Sequence, residues 1–199
     1  MKSLNGKRYW LIGASDGLGE ALAREMSAAG IELVLSARNV EKLATIIESL
    51  PNKATALPCD VGSQGSVDEA LTKLGDVDGV VFLAAAYWPM SAQNWDHQKC
   101  IEMINVNLLG ACRILGPVVD RFTRLDFGHI VITGTIAGVR GLPSSIGYTA
   151  SKAGLMTLAE CMQIDLQHTN IKLQLINPGF IHTKASAKNN YKMRDVMTP

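Results

Sequence analysis

Short apolar runs alternate with helix-period segments from one end of this chain to the other. The runs at residues 9–13 (YWLIG), 31–37 (IELVLSA), 54–58, 79–86 (GVVFLAAA), 129–133 (HIVIT) and 171–176 (IKLQLI) have strand length and apolar or β-branched content. Between them, residues 17–29 carry Leu18, Ala21, Leu22 and Met26 near helical spacing, and Gly30 stops the pattern. Residues 40–50 place Leu43, Ile46, Ile47 and Leu50 on one face before Pro51. Residues 67–74 read as a short helix, 147–168 as a long one, and most of 100–122 as one helix with Pro117 where it would kink. Strands separated by helices of this length form βαβ units, and hence a parallel sheet with helices on both faces. The expectation is a doubly wound, three-layer α/β sandwich, one domain over residues 1–199, with the polar, aperiodic residues 185–199 as loop or mobile tail. Such a sheet binds ligands at the carboxyl ends of its strands, near the switch in strand order.

Composition narrows the function classes. A chain of 199 residues suits one domain with a substantial core, and 47% hydrophobic against 19% charged residues describes a globular protein. A net charge of +1, with no basic run, offers no electrostatic case for nucleic acid or an anionic membrane. Consecutive apolar stretches fall far short of a membrane span, and the start of the chain lacks a signal-peptide core. Cys59, Cys100, Cys112 and Cys161 are widely spaced with no CxxC pair, and Cys59, Cys112 and Cys161 lie in apolar-periodic segments where a thiol packs as a small hydrophobe. That usage points to a reducing, cytoplasmic compartment. The four histidines show no metal-ligand spacing.

Two stretches carry chemistry. Gly13-Ala14-Ser15-Asp16-Gly17-Leu18-Gly19 joins the first apolar run to the first helix. Glycines there let the backbone approach a pyrophosphate, and the helix N-terminus supplies free N–H groups and a positive dipole end. The GK[ST] ending of a triphosphate loop is absent. A simple tight turn is the other reading. The second stretch is Tyr148-Thr149-Ala150-Ser151-Lys152, with Thr135 thirteen residues before the tyrosine. Tyr148 and Lys152, four apart, share a helix face. An ammonium there favours the phenolate and draws the phenol below its usual pKa of about 10, toward a working general acid or base. A tyrosine beside a solvated surface lysine is the other reading.

Together, Gly13, Gly17 and Gly19 in GxxxGxG with Tyr148 and Lys152 in YxASK resemble the short-chain dehydrogenase/reductase superfamily, along nearly the whole chain. The resemblance implies a Rossmann-type dinucleotide fold and NAD(P)(H)-dependent oxidoreduction of a small-molecule carbonyl or alcohol. It makes Tyr148 the general acid/base, Lys152 its partner and a ligand of the nicotinamide ribose, and Thr135 the hydroxyl that polarises the carbonyl. Asn107, in VNLLG, resembles the asparagine that shapes a helix and holds a water for proton relay. Gly13 to Gly19, with Ser15, Asp16 and Leu18, would hold the cofactor's phosphates, and Asp60 beside Val61 the adenine end. The stretch Pro178-Gly179-Phe180-Ile181-His182-Thr183 resembles the family's segment over the nicotinamide, with Pro178 and Gly179 lining it, the main chain near Ile181 bonding the carboxamide, and Thr183 bonding the carboxamide or a phosphate; an ordinary strand-to-loop turn is the other reading. The second strand ends Ser36-Ala37-Arg38, where an NAD site usually has a carboxylate. Arg38 suits a 2′-phosphate, which favours NADP(H) over NAD(H); an arginine simply solvated is the alternative.

Two departures from the family pattern appear. The fourth strand runs into Ala84-Ala85-Ala86 instead of Asn-Asn-Ala-Gly, losing side-chain amides that brace the sheet while keeping close backbone access at Ala84 and Ala85. The chain also ends at Met197-Thr198-Pro199, before the further helix and last strand that relatives commonly have. These departures motivate an alternative function, a non-catalytic or C-terminally truncated NADP(H)-binding regulatory protein. The resemblance further implies a homodimer through the two long helices, with a tetramer through the last strand less expected. It names neither the substrate nor the reaction direction.

Overall fold

A computed structural model describes residues 4–189 and 196–199. The apolar runs become six strands: β1 (Arg8–Ile12), β2 (Glu32–Ser36), β3 (Ala54–Ala56), β4 (Gly79–Phe82), β5 (Gly128–Thr133) and β6 (Ile171–Ile176). They form one sheet in the order β3-β2-β1-β4-β5-β6, and every pairing is parallel. The order reverses between β1 and β4, which places the switch point of a doubly wound sheet there. Helices α1 (Gly17–Ala28), α2 (Val40–Glu48), α3 (Gln64–Lys73), α4 (His97–Ile104), α5 (Gly110–Leu125) and α6 (Ile146–Leu166) make the crossovers.

Strand alternation builds two cores. Trp10, Ile12, Val34, Val80, Phe82, Ile130 and Ile132 face one way and pack with α3 to α6 through Val67, Met103, Ile114, Val118, Phe122 and Leu155. Tyr9, Leu11, Leu33, Leu35, Val81 and Val131 face the other way, against Ala23 of α1 and Leu43 and Ile46 of α2. The period-2 pattern thus explains why every interior strand is apolar at consecutive positions: both faces are covered. At the β6 edge, burial alternates instead, and Lys172, Gln174 and Ile176 are exposed. A buried polar link ties the middle of the sheet: Ser36 Oγ accepts from Trp10 Nε1 at 2.7 Å and donates to the Leu57 carbonyl at 2.5 Å.

The long helical region differs from the sequence expectation. It runs from His97 to Leu125, and its interruption is not at Pro117, which α5 runs through. A π-turn covers Asn105–Leu109, where the Gly110 amide reaches back to the Asn105 carbonyl. Inserting one residue into a turn rotates the side chains that follow, and such bulges are frequent at functional sites. Here it turns Asn107 fully inward. By length and composition the His97–Leu125 helix could cross a membrane, but a core helix meets the same criterion, and this one buries a stripe against the sheet. Cys112 and Cys161 are exposed, not packed as expected; only Cys59 and Cys100 are buried. Periodicity locates an apolar stripe, but which residues flank it on the solvent side depends on how the helix is rolled onto the sheet.

Candidate active site

The glycine turn closes where β1 meets β4. Gly13 has φ +96°, and a Cβ there would stand 2.6 Å from the Ala84 amide nitrogen. Gly17 has φ +52°, and a Cβ on Gly19 would lie 2.0 Å from the Gly13 carbonyl oxygen. The first glycine therefore lets the β1 and β4 ends touch, and the third lets α1 press onto the turn. Asp16 occupies the N-cap of α1, yet among the described residues its carboxylate caps no helix amide. It turns instead to Lys184 Nζ at 2.8 Å and Lys42 Nζ at 3.2 Å. The hydrogen bond from Lys184, helped by the one from Lys42, holds its carboxyl below the usual range against the opposing effect of desolvation. The first amides of α1 are left facing a cleft of about 600 Å³.

That cleft brings together the residues singled out by sequence. Gly13, Ser15, Asp16, Gly17, Leu18, Gly19, Arg38, Asp60, Val61, Ala84, Ala85, Thr135, Tyr148, Lys152, Pro178, Gly179, Ile181 and Thr183 all line it. Asn107 does not; it sits behind the wall. Asp60 accepts from the Gly62 amide at 3.0 Å, so it forms a turn as well as a lining surface. Arg38, exposed at the end of β2, makes no ion pair among the described residues. Cys59 also lines the cleft, but burial and then Asp60 push its thiol up to about 11, which leaves it a poor nucleophile.

The tyrosine and lysine sit deeper than a surface pair. Lys152 is only 2% exposed, and its Nζ donates to the Thr133 carbonyl at 2.7 Å. Burial lowers its pKa to about 8. Burial raises the Tyr148 phenol above its ordinary value, with a hydrogen bond from Thr135 acting in the opposite direction. The net direction is upward, set first by burial, and Lys152 is not among its causes. Desolvation penalises the charged form of each group. Thr135, itself 8% exposed, begins a short 3₁₀ turn and accepts from the Ala137 amide at 3.2 Å.

Asn107 supplies the brace that the Ala84-Ala85-Ala86 stretch lacks. Its Oδ1 accepts from the Ala86 amide at 2.6 Å, and its Nδ2 donates to the Ala86 carbonyl at 3.0 Å and to Ser151 Oγ at 2.9 Å. Ser151 passes the link on to the Tyr148 carbonyl at 2.8 Å. One side-chain amide thus fixes the end of β4 against the first turns of α6. The amides of Asn-Asn-Ala-Gly are absent, and the amide of Asn107 holds the segment after β4 from the facing helix.

Sequence reasoning missed the other wall. Tyr87 sets its ring edge against Tyr148, with centroids 4.9 Å apart and planes at 77°. Trp88 lines the cleft beside it. The segment after Pro178-Gly179 then straps the mouth. Lys184 reaches Asp16 at one end; at the other, Lys188 Nζ donates to the Tyr87 carbonyl at 2.9 Å, and the Tyr87 hydroxyl meets Asn189. Met197 pairs with the same segment through the Phe180 carbonyl at 2.9 Å and the His182 amide at 2.8 Å. So the described part of 185–199 is tied down at both ends of the cleft; residues 190–195 lie outside the described residues. The aromatic pair directly after Ala84-Ala85-Ala86 was the one available signal.

Residues 7–194 match the sequence model of the short chain dehydrogenase family. A 3-oxoacyl-[acyl-carrier-protein] reductase of Rickettsia prowazekii is 26% identical over 197 residues, covering 99% of this chain and 82% of the relative. The nodulation protein G of a Rhizobium species is 28% identical, over 99% of this chain and 82% of its own length. Among solved structures, an alcohol dehydrogenase from the archaeon Thermococcus sibiricus, complexed with 5-hydroxy-NADP, superposes with a TM-score of 0.86 at 28% identity, over 97% of this chain and 85% of that one. The family match spans the whole sheet and both chemical stretches, and the chain accordingly belongs to the short chain dehydrogenase family of hydride-transferring oxidoreductases.

Proposed function

We propose that this protein is an NADP(H)-dependent oxidoreductase that interconverts a carbonyl and an alcohol, with Tyr148 as general acid/base. The observation that carries this reading is a shared cleft: Tyr148, Thr135 and Lys152 face the same space as the glycine turn and the open end of α1. The residues fit a dinucleotide. A side chain at Gly13 or Gly19 would fill the cradle, and the first amides of α1 carry no side-chain cap. When bound, the nicotinamide supplies the hydride.

The chain's own groups do the rest. Thr135 and Tyr148 hydrogen-bond the substrate oxygen, and Tyr148 delivers its proton there as the alcohol forms. Lys152, whose pKa burial lowers to about 8, would in its charged form favour the phenolate that remains. Anionic phosphates in the cleft would stabilise that ammonium. Asn107 holds the geometry. Its amide is committed to Ala86 and Ser151, so any share in a proton path falls to its main chain. Arg38 would pair with the 2′-phosphate. This favours NADP(H), and Lys42 stands on the same wall.

The test is NADPH and NADH oxidation across a panel of ketones and aldehydes. Tyr148→Phe should bind NADPH within a few-fold of the native chain and lose turnover by at least the 10²–10⁴-fold typical of positioned acid catalysis. Turnover that survives the substitution refutes the assignment. We also infer a homodimer. Ile101, Leu109 and Ile164 are exposed on α4, the π-turn and α6, on the long helices where a partner would bury them. Light scattering of the purified chain decides it.

A further inference from the structure

The cleft is chemically two-ended. Its first end holds the glycine turn, Arg38 and Asp60. Its second is walled by Tyr87, Trp88, Leu142 and Phe180, with Lys188 among them. Lys188 Nζ sits 2.9 Å from the Tyr87 carbonyl and 5.2 Å from the centre of the Trp88 ring. Tyr87 packs its ring edge on Tyr148, so the residue whose carbonyl holds this ammonium also borders the catalytic tyrosine. Both acidic residues lining the cleft lie at the first end: Asp16 paired with two lysines, Asp60 in its own turn. No carboxylate pairs with Lys188 among the described residues. An ammonium has three donors, and among the described residues one of them is accepted by the protein. Lys188 stands exposed at the mouth, and an aromatic wall beside an ammonium with no carboxylate partner among the described residues suits a ligand with an apolar body and one negative charge. A lone ammonium suits a monoanionic carboxylate better than a phosphate, which takes several donors.

We propose that the substrate is an oxo-carboxylate, reduced to the hydroxy-carboxylate, with its carboxylate anchored by Lys188 and its body against Tyr87 and Trp88. The proposal rests on the hydride-transfer reading above. The carbonyl carbon receives the hydride from NADPH and the oxygen receives a proton from Tyr148. NADPH leaves as NADP⁺, and the carboxylate is unchanged.

The experiment compares the 2-, 3-, 4- and 5-oxohexanoates with their methyl esters in NADPH oxidation by the native chain, Lys188→Met, Lys188→Arg and Lys188→Glu. Lys188→Met keeps an unbranched apolar side chain while removing the charge that lies over Trp88. For at least one oxo position the native chain should prefer the acid. Lys188→Met should then lower the acid-to-ester ratio of kcat/KM about five- to tenfold, through the acid's KM. Lys188→Arg should keep the preference and Lys188→Glu reverse it. An unchanged ratio in Lys188→Met overturns the proposal. So does an equal fall for acid and ester, which would make Lys188 only a latch for the strap. If the native chain turns over neither series, the hydride-transfer reading fails, and calorimetric titration of NADP⁺-saturated protein with hexanoate against hexanamide still decides the anchor. Hexanoate preferred by the native chain and not by Lys188→Met supports it; no preference overturns it.

Discussion

Replacing Asn107 with alanine should destabilise the protein well beyond the usual effect of losing one side chain. Asn107 is fully buried, and its amide satisfies both the N–H and the C=O of Ala86 while bonding Ser151. Alanine leaves two buried main-chain groups without a partner. Ser151 still has the Tyr148 carbonyl to donate to. At about 1–3 kcal/mol for each orphaned group, the loss is about 3 kcal/mol. For a chain of this length that lowers the melting temperature by about 6–12 °C. Asn107→Asp should be nearly as damaging, because it keeps the acceptor for the Ala86 amide and sets a second oxygen against the Ala86 carbonyl. Thermal and urea melts of the cofactor-free proteins give the magnitude, and Ser151→Ala, costing about 1 kcal/mol, serves as the outer-link control. Turnover separates the roles. A brace lost from the end of β4 should weaken NADPH binding and stability together. If Asn107→Ala melts within about 2 °C of the native chain, the bracing argument is wrong.

Two further predictions concern charge. The folded pKa of Lys152, about 8, lies below its ordinary value of about 10.4, so between these the unfolded chain binds more protons. Stability of the cofactor-free protein should therefore rise as pH goes from about 8 toward 10, until the raised Tyr148 pKa begins to oppose it above 10. Lys152→Met should melt higher than the native chain at pH 7 and show no such rise; a native melting curve flat over this range refutes the buried-ammonium account. Arg38→Asp should move the NADPH-to-NADH ratio of kcat/KM toward NADH by about tenfold or more, measured on one carbonyl substrate, and an unchanged ratio would remove Arg38 from the 2′-phosphate site.

How much was legible before folding depended on the range of the physics involved. Strand and helix alternation is a local pattern, and so is the side-chain period that covers both faces of β1, β2, β4 and β5. From it followed the parallel sheet and a ligand site at the carboxyl ends of its strands; the strand order, with its switch between β1 and β4, came from the structure. The glycine turn was legible for the same reason, since positive φ at Gly13 and Gly17 is a backbone demand. The exposure of Cys112 and Cys161 was not, because the helical period does not say how far a helix is rolled.

The sequence by itself thus determined the architecture, the family, and the residues of the glycine turn, Arg38, Thr135, Tyr148 and Lys152 that converge on the cleft. Only the tertiary structure decided how the cleft is held and charged. Asn107 reaches Ala86 across 21 positions, Lys188 reaches Tyr87 across 101, and Lys184 reaches Asp16 across 168. No local pattern encodes which of those segments meet. The Tyr148–Lys152 pair shows the same division. Its spacing on a helix is written in the chain, but the direction in which each group titrates is set by how completely the rest of the molecule removes it from water.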